Sequence, residues 1–95
     1  MSVRVVVDMY LKPEAVGPMK AGMRAMLPET REFEGCEEVL LHEDQDDPNH
    51  FMIIERWASR HRYQAYLDWR SQRGEMSTDP FTAPMRFTFL DLVDV

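Results

Sequence analysis

An α+β domain with the element order β-α-β-β-α-β is predicted by three features of the chain. Val3 to Leu11 places β-branched and apolar residues at period two. Val16, Met19, Met23, Met26 and Leu27 recur at three- and four-residue steps. Phe51-Met52-Ile53-Ile54-Glu55-Arg56-Trp57 runs directly into Ala58-Ser59, a strand followed by a helix cap. A chain of 95 residues has room for one such unit, so residues 1–95 are expected to form a single domain.

In the first strand, Val3, Val5, Val7, Met9 and Leu11 share one face, and Arg4, Val6, Asp8 and Tyr10 share the other. Pro13 suits a first helical turn, Gly17-Pro18 is expected to delay the regular helix, and Pro28 to kink or stop it, because proline lacks the amide donor. A short irregular stretch then leads to Gly35, with Arg31 placed to tie down the helix exit. Cys36 to Glu43 reads as strand two, and Asp44 to Asn49 as a hairpin loop whose Asp, Pro and Asn residues set turn angles. His50 to Trp57, apolar on both faces, reads as strand three. Ser59 caps helix two, whose inward stripe holds Tyr63, Tyr66, Leu67 and the stem of Arg70, with Trp69 on its flank. Gly74 ends that helix, Ser77 to Pro84 is a punctuated loop, and Arg86 to Val95 is strand four.

This order folds as one four-stranded antiparallel sheet with both helices on one face, the ferredoxin-like arrangement. The other face needs cover. Strands three and four are apolar on both sides, and 44% hydrophobic residues with eight methionines exceeds what one small core hides, so a homodimer packed sheet to sheet is expected.

A net charge of −6 disfavours nucleic acid, whose backbone is held by Lys and Arg. No apolar run approaches the roughly twenty residues that span a bilayer, and the amino-terminal residues do not read as a leader, so a cytoplasmic protein without membrane contact is expected. Cys36 is the only cysteine, expected as a packed structural thiol. His42, His50 and His61 show no metal-ligand spacing, and no glycine-rich phosphate loop is present, so neither metal nor nucleotide cofactor is expected.

Thr30-Arg31-Glu32-Phe33-Glu34-Gly35-Cys36, the acidic turn Glu43 to Pro48, and the run Glu55-Arg56-Trp57-Ala58-Ser59 occur in an order that resembles the antibiotic-biosynthesis-monooxygenase-like domain, a dimeric α+β barrel. The resemblance covers nearly the whole chain. It implies cofactor-independent oxygenation of a small phenol or quinol by dioxygen. Quinol- and polyketide-oxidising members carry a histidine in helix two before a leucine and a second about five residues later. Tyr66, before Leu67, and Ser71 stand there instead. The haem-degrading branch uses an asparagine, a tryptophan and a haem-ligating histidine where this chain has Asp8, Tyr66 and Met76, which speaks against haem.

The implied reaction requires an aromatic pocket that holds the substrate anion and excludes water. Trp57, Tyr63, Trp69, Met23 and Met26 are the candidate substrate-binding residues, facing the expected gap between helices and sheet. The candidate catalytic set is Asp8, Tyr66 and Arg86. Asp8 is an acid within a strand of valines and could serve as base toward a phenol. Arg86, or Arg56, could hold a phenolate through charge-assisted hydrogen bonds. A binding module without catalysis, or an accessory subunit of a biosynthetic enzyme, uses the same scaffold. The absent helix-two histidines favour the former.

Overall fold

The computed structural model describes residues 1–95. It contains β1 (Val3–Tyr10), a 3-10 turn (Pro13–Ala15), α1 (Val16–Glu32), β2 (Cys36–Asp44), β3 (Asp47–Trp57), α2 (Arg60–Gln72) and β4 (Arg86–Leu90). The strands form one antiparallel sheet in the order β2-β3-β1-β4. This is the ferredoxin-like α+β fold.

The register fixes which side chains share a face. Val3, Val5, Val7 and Met9 stand opposite Trp57, Glu55, Ile53 and Phe51, and Val5 and Val7 stand opposite Phe89 and Phe87 on the other flank. These residues face the helices and form the core with Tyr63 and Tyr66 of α2, while Met19 and Met23 of α1 pack against it. The outer face carries Arg4, Val6, Asp8 and Tyr10 opposite Arg56, Ile54, Met52 and His50, with Leu40 and Leu90 on the flanking strands. Tyr10, Leu40, Ile54 and Leu90 are exposed there. No helix is long and apolar enough to cross a membrane.

Two short signals place the helices. Ser59 Oγ accepts from the backbone N–H of Arg62 at 3.1 Å, the N-cap bond that starts α2. At the exit of α1, Arg31 donates to the Val39 carbonyl at 3.1 Å, and the Gly35 carbonyl accepts from Ala58 N–H at 2.8 Å. Gly35 has φ 95°, and a Cβ there would lie 2.6 Å from Cβ of Arg62, so both backbone angle and space require glycine.

Four boundaries differ from expectation. Helix α1 begins at Val16 without delay, because Pro18 lies in the first turn, where the missing amide has no partner to lose. It also runs through Pro28 to Glu32: the carbonyl of Arg24 that Pro28 cannot serve lies on an exposed stretch of helix, open to solvent. The β2–β3 loop contracts to Gln45-Asp46, with Asp44 opposite Asp47 and the N–H of Asp46 donating to Asp44 Oδ1 at 2.9 Å. Strand β4 stops at Leu90 rather than Val95. Leu90 lies opposite Arg4, one residue inside the start of β1, so residues beyond it have almost no strand to pair with.

Candidate active site

A cavity of about 100 Å³ lies between the inner face of the sheet and the helices. Val7, Met9, Ile53, Glu55 and Phe87 form its floor, Met23, Met26, Leu27 and Thr30 of α1 one wall, and Tyr63, Tyr66, Leu67 and Arg70 of α2 another. Residues Glu75 to Ser77, Phe81 and Met85 close the end, and the partly exposed Glu75 and Met76 mark the rim. The closing segment is pinned to the end of β1 by Lys12 N–H on the Pro80 carbonyl at 3.0 Å and Thr82 N–H on the Tyr10 carbonyl at 2.8 Å.

The volume falls short of the ~150 Å³ that accepts a benzene ring in an apolar protein cavity. Four methionines, Met23, Met26, Met76 and Met85, supply the adjustment, since an unbranched thioether with three rotatable bonds repacks at low cost.

Two polar features enter this apolar space. The first is Glu55, only 4% exposed. It sits in β3 between Ile53 and Trp57 on the inward side, and Trp57 Nε1 donates to its Oε1 at 3.1 Å. The Tyr63 hydroxyl on the facing helix favours the charged form of Glu55 as well. Burial pushes the Glu55 carboxyl up to about 7, against the opposing pull of the Trp57 and Tyr63 donors. Tyr63 is raised in turn, by burial first and then by the negative charge of Glu55.

The second is Arg70, fully buried on the last turn of α2. Its guanidinium donates to the Tyr66 hydroxyl at 3.0 Å, Thr30 Oγ1 at 3.2 Å, the Met26 carbonyl at 3.0 Å, Glu29 at 3.3 Å and Glu75 at 2.7 Å. Burial works against its charge, and the bonds to Tyr66, Glu29 and Glu75 more than offset it, leaving its pKa raised. Thr30 Oγ1 spends its own proton on the Met26 carbonyl at 3.3 Å, so the Tyr66 hydroxyl, which accepts from Arg70, donates to Thr30 Oγ1, 2.7 Å away. Both functions of that hydroxyl are thus taken by the scaffold.

The residues singled out from the sequence separate into two places. Met23, Met26, Tyr63 and Tyr66 line the cavity. Trp57 lies fully buried behind Glu55 and reaches the site through its indole N–H. Trp69 does not line the cavity. Its ring packs on Phe33 and lies 4.6 and 4.5 Å from the Arg70 and Arg73 guanidinium carbons, at the partly exposed end of α2.

Asp8 and Arg86 stand opposite each other across β1 and β4 on the outer face, the wrong side of the sheet for the cavity. The cause is the strand period: Asp8 alternates with Val7 and Met9, which point inward. Asp8 instead binds His50 Nε2 at 2.8 Å, and Asp44 binds His50 Nδ1 at 2.8 Å, with Tyr10 stacked on the imidazole at 4.3 Å. Carboxylates only accept, so both ring nitrogens donate and the imidazolium is favoured. The bond to Asp44 raises the His50 pKa, the bond to Asp8 adds to it against burial, and the Asp44 carboxyl is held low in return. Arg56 also faces outward, paired with Glu37 at 3.2 Å. Cys36 is partly buried, its thiol pushed up to about 11 by burial first and by Glu55 next. No group of three or more His, Cys, Asp and Glu side chains is arranged to hold a metal ion.

Glu55 and Arg70 were not singled out as site residues by the sequence reading. The signal for Glu55 was present: counting by two from Phe51 through Ile53 to Trp57 puts it on the inward face. Arg70 carried less, because the burial of its head depends on Glu29 and Glu75 from separate segments.

Residues 2–73 match the sequence model of the family described as antibiotic biosynthesis monooxygenase. The chain belongs to that family. The candidate monooxygenase Rv0793 of Mycobacterium tuberculosis is 33% identical over 84 residues, 82% of this chain and 82% of its own. Its solved structure superposes with a TM-score of 0.77 at 28% identity, covering 100% of this chain and 98% of that one, so the likeness extends over both chains end to end. A crystal structure of an antibiotic biosynthesis monooxygenase superposes with a TM-score of 0.84 at 23% identity, covering 97% of this chain and 99% of that one. A conserved protein of Methanosarcina mazei Go1 gives 0.84 at 17% identity, covering 95% and 91%. At those identities the two superpositions speak for the fold alone. Of the two helix-two positions where some antibiotic biosynthesis monooxygenase members resemble one another in carrying histidine, Tyr66 lines the cavity here and Ser71 is exposed.

Proposed function

We propose that the chain is a cofactor-independent monooxygenase that oxidises a small phenol or hydroquinone with dioxygen and works as a homodimer. The observation that carries this reading is the methionine-walled cavity, which needs only a shift of its methionine side chains to take one ring and ends on a buried carboxyl and a tyrosine hydroxyl. An apolar space with few, fixed polar groups suits a neutral aromatic. Hydroquinone and dioxygen give hydroxybenzoquinone and water. One oxygen atom enters the ring and the other leaves with two substrate hydrogens, and the ring supplies all four electrons. No external reductant is needed.

The dimer reading rests on the outer face of the sheet, where Val6, Leu40, Ile54 and Leu90 form an apolar patch beside the charged Arg4 and Arg56. Sheet-to-sheet pairing of two copies covers that patch and leaves the cavity, on the opposite face, free in each subunit.

Oxygen-electrode measurements with hydroquinones and anthrone-like phenols test the activity, on protein whose sedimentation at micromolar concentration gives the dimer mass. At least one compound is expected to be turned over, and Met26→Trp, which fills the cavity, should abolish turnover. Silence across the whole panel removes the oxygenase reading, and a monomer removes the dimer.

A further inference from the structure

We infer that Glu55 is the catalytic base of this cavity, its carboxylate accepting the proton of the substrate's hydroxyl as the ring gives up electrons to dioxygen. The inference rests on the oxygenase reading for the reaction, but the binding of a phenol against Glu55 stands apart from it.

Three observations carry it. Glu55 is an acid on the buried face of the central strand β3, where every other inward residue from Phe51 to Trp57 is apolar, and its side chain lines the cavity. Its Oε1 is fixed by Trp57, whereas Oε2 makes no bond of comparable geometry. No sealed side-chain oxygen in the molecule lacks a partner, so Oε2 is reached from the cavity. Third, it is the one carboxylate on the cavity floor, and the Tyr66 and Arg70 groups facing it are already paired. The Tyr66 hydroxyl is committed to Arg70 and Thr30, and the Arg70 donors to Tyr66, Thr30, Met26, Glu29 and Glu75.

The transfer breaks the substrate's O–H bond, places the proton on Oε2 and leaves the electron pair on the phenolic oxygen. Tyr63, which remains protonated and lines the same cavity, would donate to that oxyanion. The titratable groups around Glu55 are Tyr63, Tyr66 and Arg70 from α2, Cys36 from β2 and Glu75 at the rim. Arg70 is the one cation among them. A carboxyl raised by burial to about 7 is ionised in good part at neutral pH yet basic enough to hold a proton. The same charge sets specificity: a ring bearing its own carboxylate would put a second buried anion against Glu55, so neutral phenols are the substrate class.

The probe is 4-nitrophenol, which lacks the second hydroxyl of a hydroquinone, is acidic enough to pass its proton to such a carboxylate, and is coloured as the anion. Near pH 7, where Glu55 is ionised in good part while much of the free probe is still neutral, wild-type protein is expected to raise the anion band on binding. Glu55→Gln keeps an acceptor for Trp57 but cannot take a proton, and it should bind the probe without the band. In the oxygen assay, kcat/KM should rise with pH through about 7 in the wild type, and Glu55→Gln should lower it on the order of 100-fold or more and erase that inflection. An anion band of equal size in both proteins overturns the inference, as do equal turnover and an unchanged pH profile in Glu55→Gln, which would leave the oxygenase reading standing. A band lost in Glu55→Gln with no oxygen consumed by the wild type supports the Glu55 assignment and removes the oxygenase reading instead.

Discussion

Arg70→Ala is expected to destabilise the fold by ~3–5 kcal/mol, the usual cost of removing one member of a buried, hydrogen-bonded charge network. Arg70 is fully buried and ties three segments together: Met26, Glu29 and Thr30 of α1, Tyr66 of its own helix, and Glu75 in the segment that closes the cavity. The alanine leaves the Tyr66 and Thr30 oxygens without their guanidinium partner in a buried position, and the aliphatic stem of Arg70 is lost from the core as well. A domain of this size has about 5–15 kcal/mol of total stability, so a loss of this size removes a large fraction of it and should move the urea midpoint well down. Glu29→Gln, at the half-exposed end of the same network, should change little, because its charge is screened by water. Urea titration followed by tryptophan fluorescence reads both. A loss below about 1 kcal/mol for Arg70→Ala would mean that water entering through the cavity replaces the guanidinium.

Stability should fall as pH rises from about 4.5 to about 7, and Glu55 is the largest single cause. Its carboxyl binds a proton up to about 7 in the folded chain but only up to the ordinary 4.5 once unfolded. Between those values the folded state holds more protons, so each step upward in pH favours unfolding. The full difference amounts to roughly 3 kcal/mol at one end of the window relative to the other. His50 pulls the same way: its raised pKa supplies stability below the ordinary histidine value that is lost as pH climbs through the folded one. Asp44, Glu37 and Glu75 pull the other way, but their depressed values put their losses at lower pH, outside this window. Glu55→Gln should therefore flatten most of the decline, leave the His50 part, and be at least as stable as the wild type at pH values above the window. Thermal melts across the window decide it, and an equally steep decline in the variant would contradict a buried, protonated Glu55.

Local signals in the sequence were enough for the elements. Alternation in Val3 to Leu11, the Ser59 cap and the glycine at position 35 each report a backbone demand that only neighbouring residues satisfy, and each appears in the structure as expected. The assignment of the site was harder because it depends on which face of the sheet the helices cover. Alternation already separated Asp8 from Val7 and Met9, but Val6 made the Asp8 side apolar as well, so an acid there read as a cavity residue. Glu55 was masked in the reverse sense, embedded in a strand whose two faces both looked apolar. The five residues expected to extend β4 beyond Leu90 do not pair, because strand propensity in Leu92, Val93 and Val95 says nothing about whether β1 extends far enough to pair with them.

The claim that everything else depends on is that a phenol sits inside the fold, against Glu55, rather than on the outer sheet face. A crystal structure with 4-nitrophenol tests it most directly. The predicted result is a ring between the cavity methionines and Phe87 with its oxygen in hydrogen-bonding range of Glu55 Oε2 and the Tyr63 hydroxyl. A ring lodged beside Asp8 and Arg86 on the outer face, with the cavity between α2 and the sheet unchanged, would contradict it.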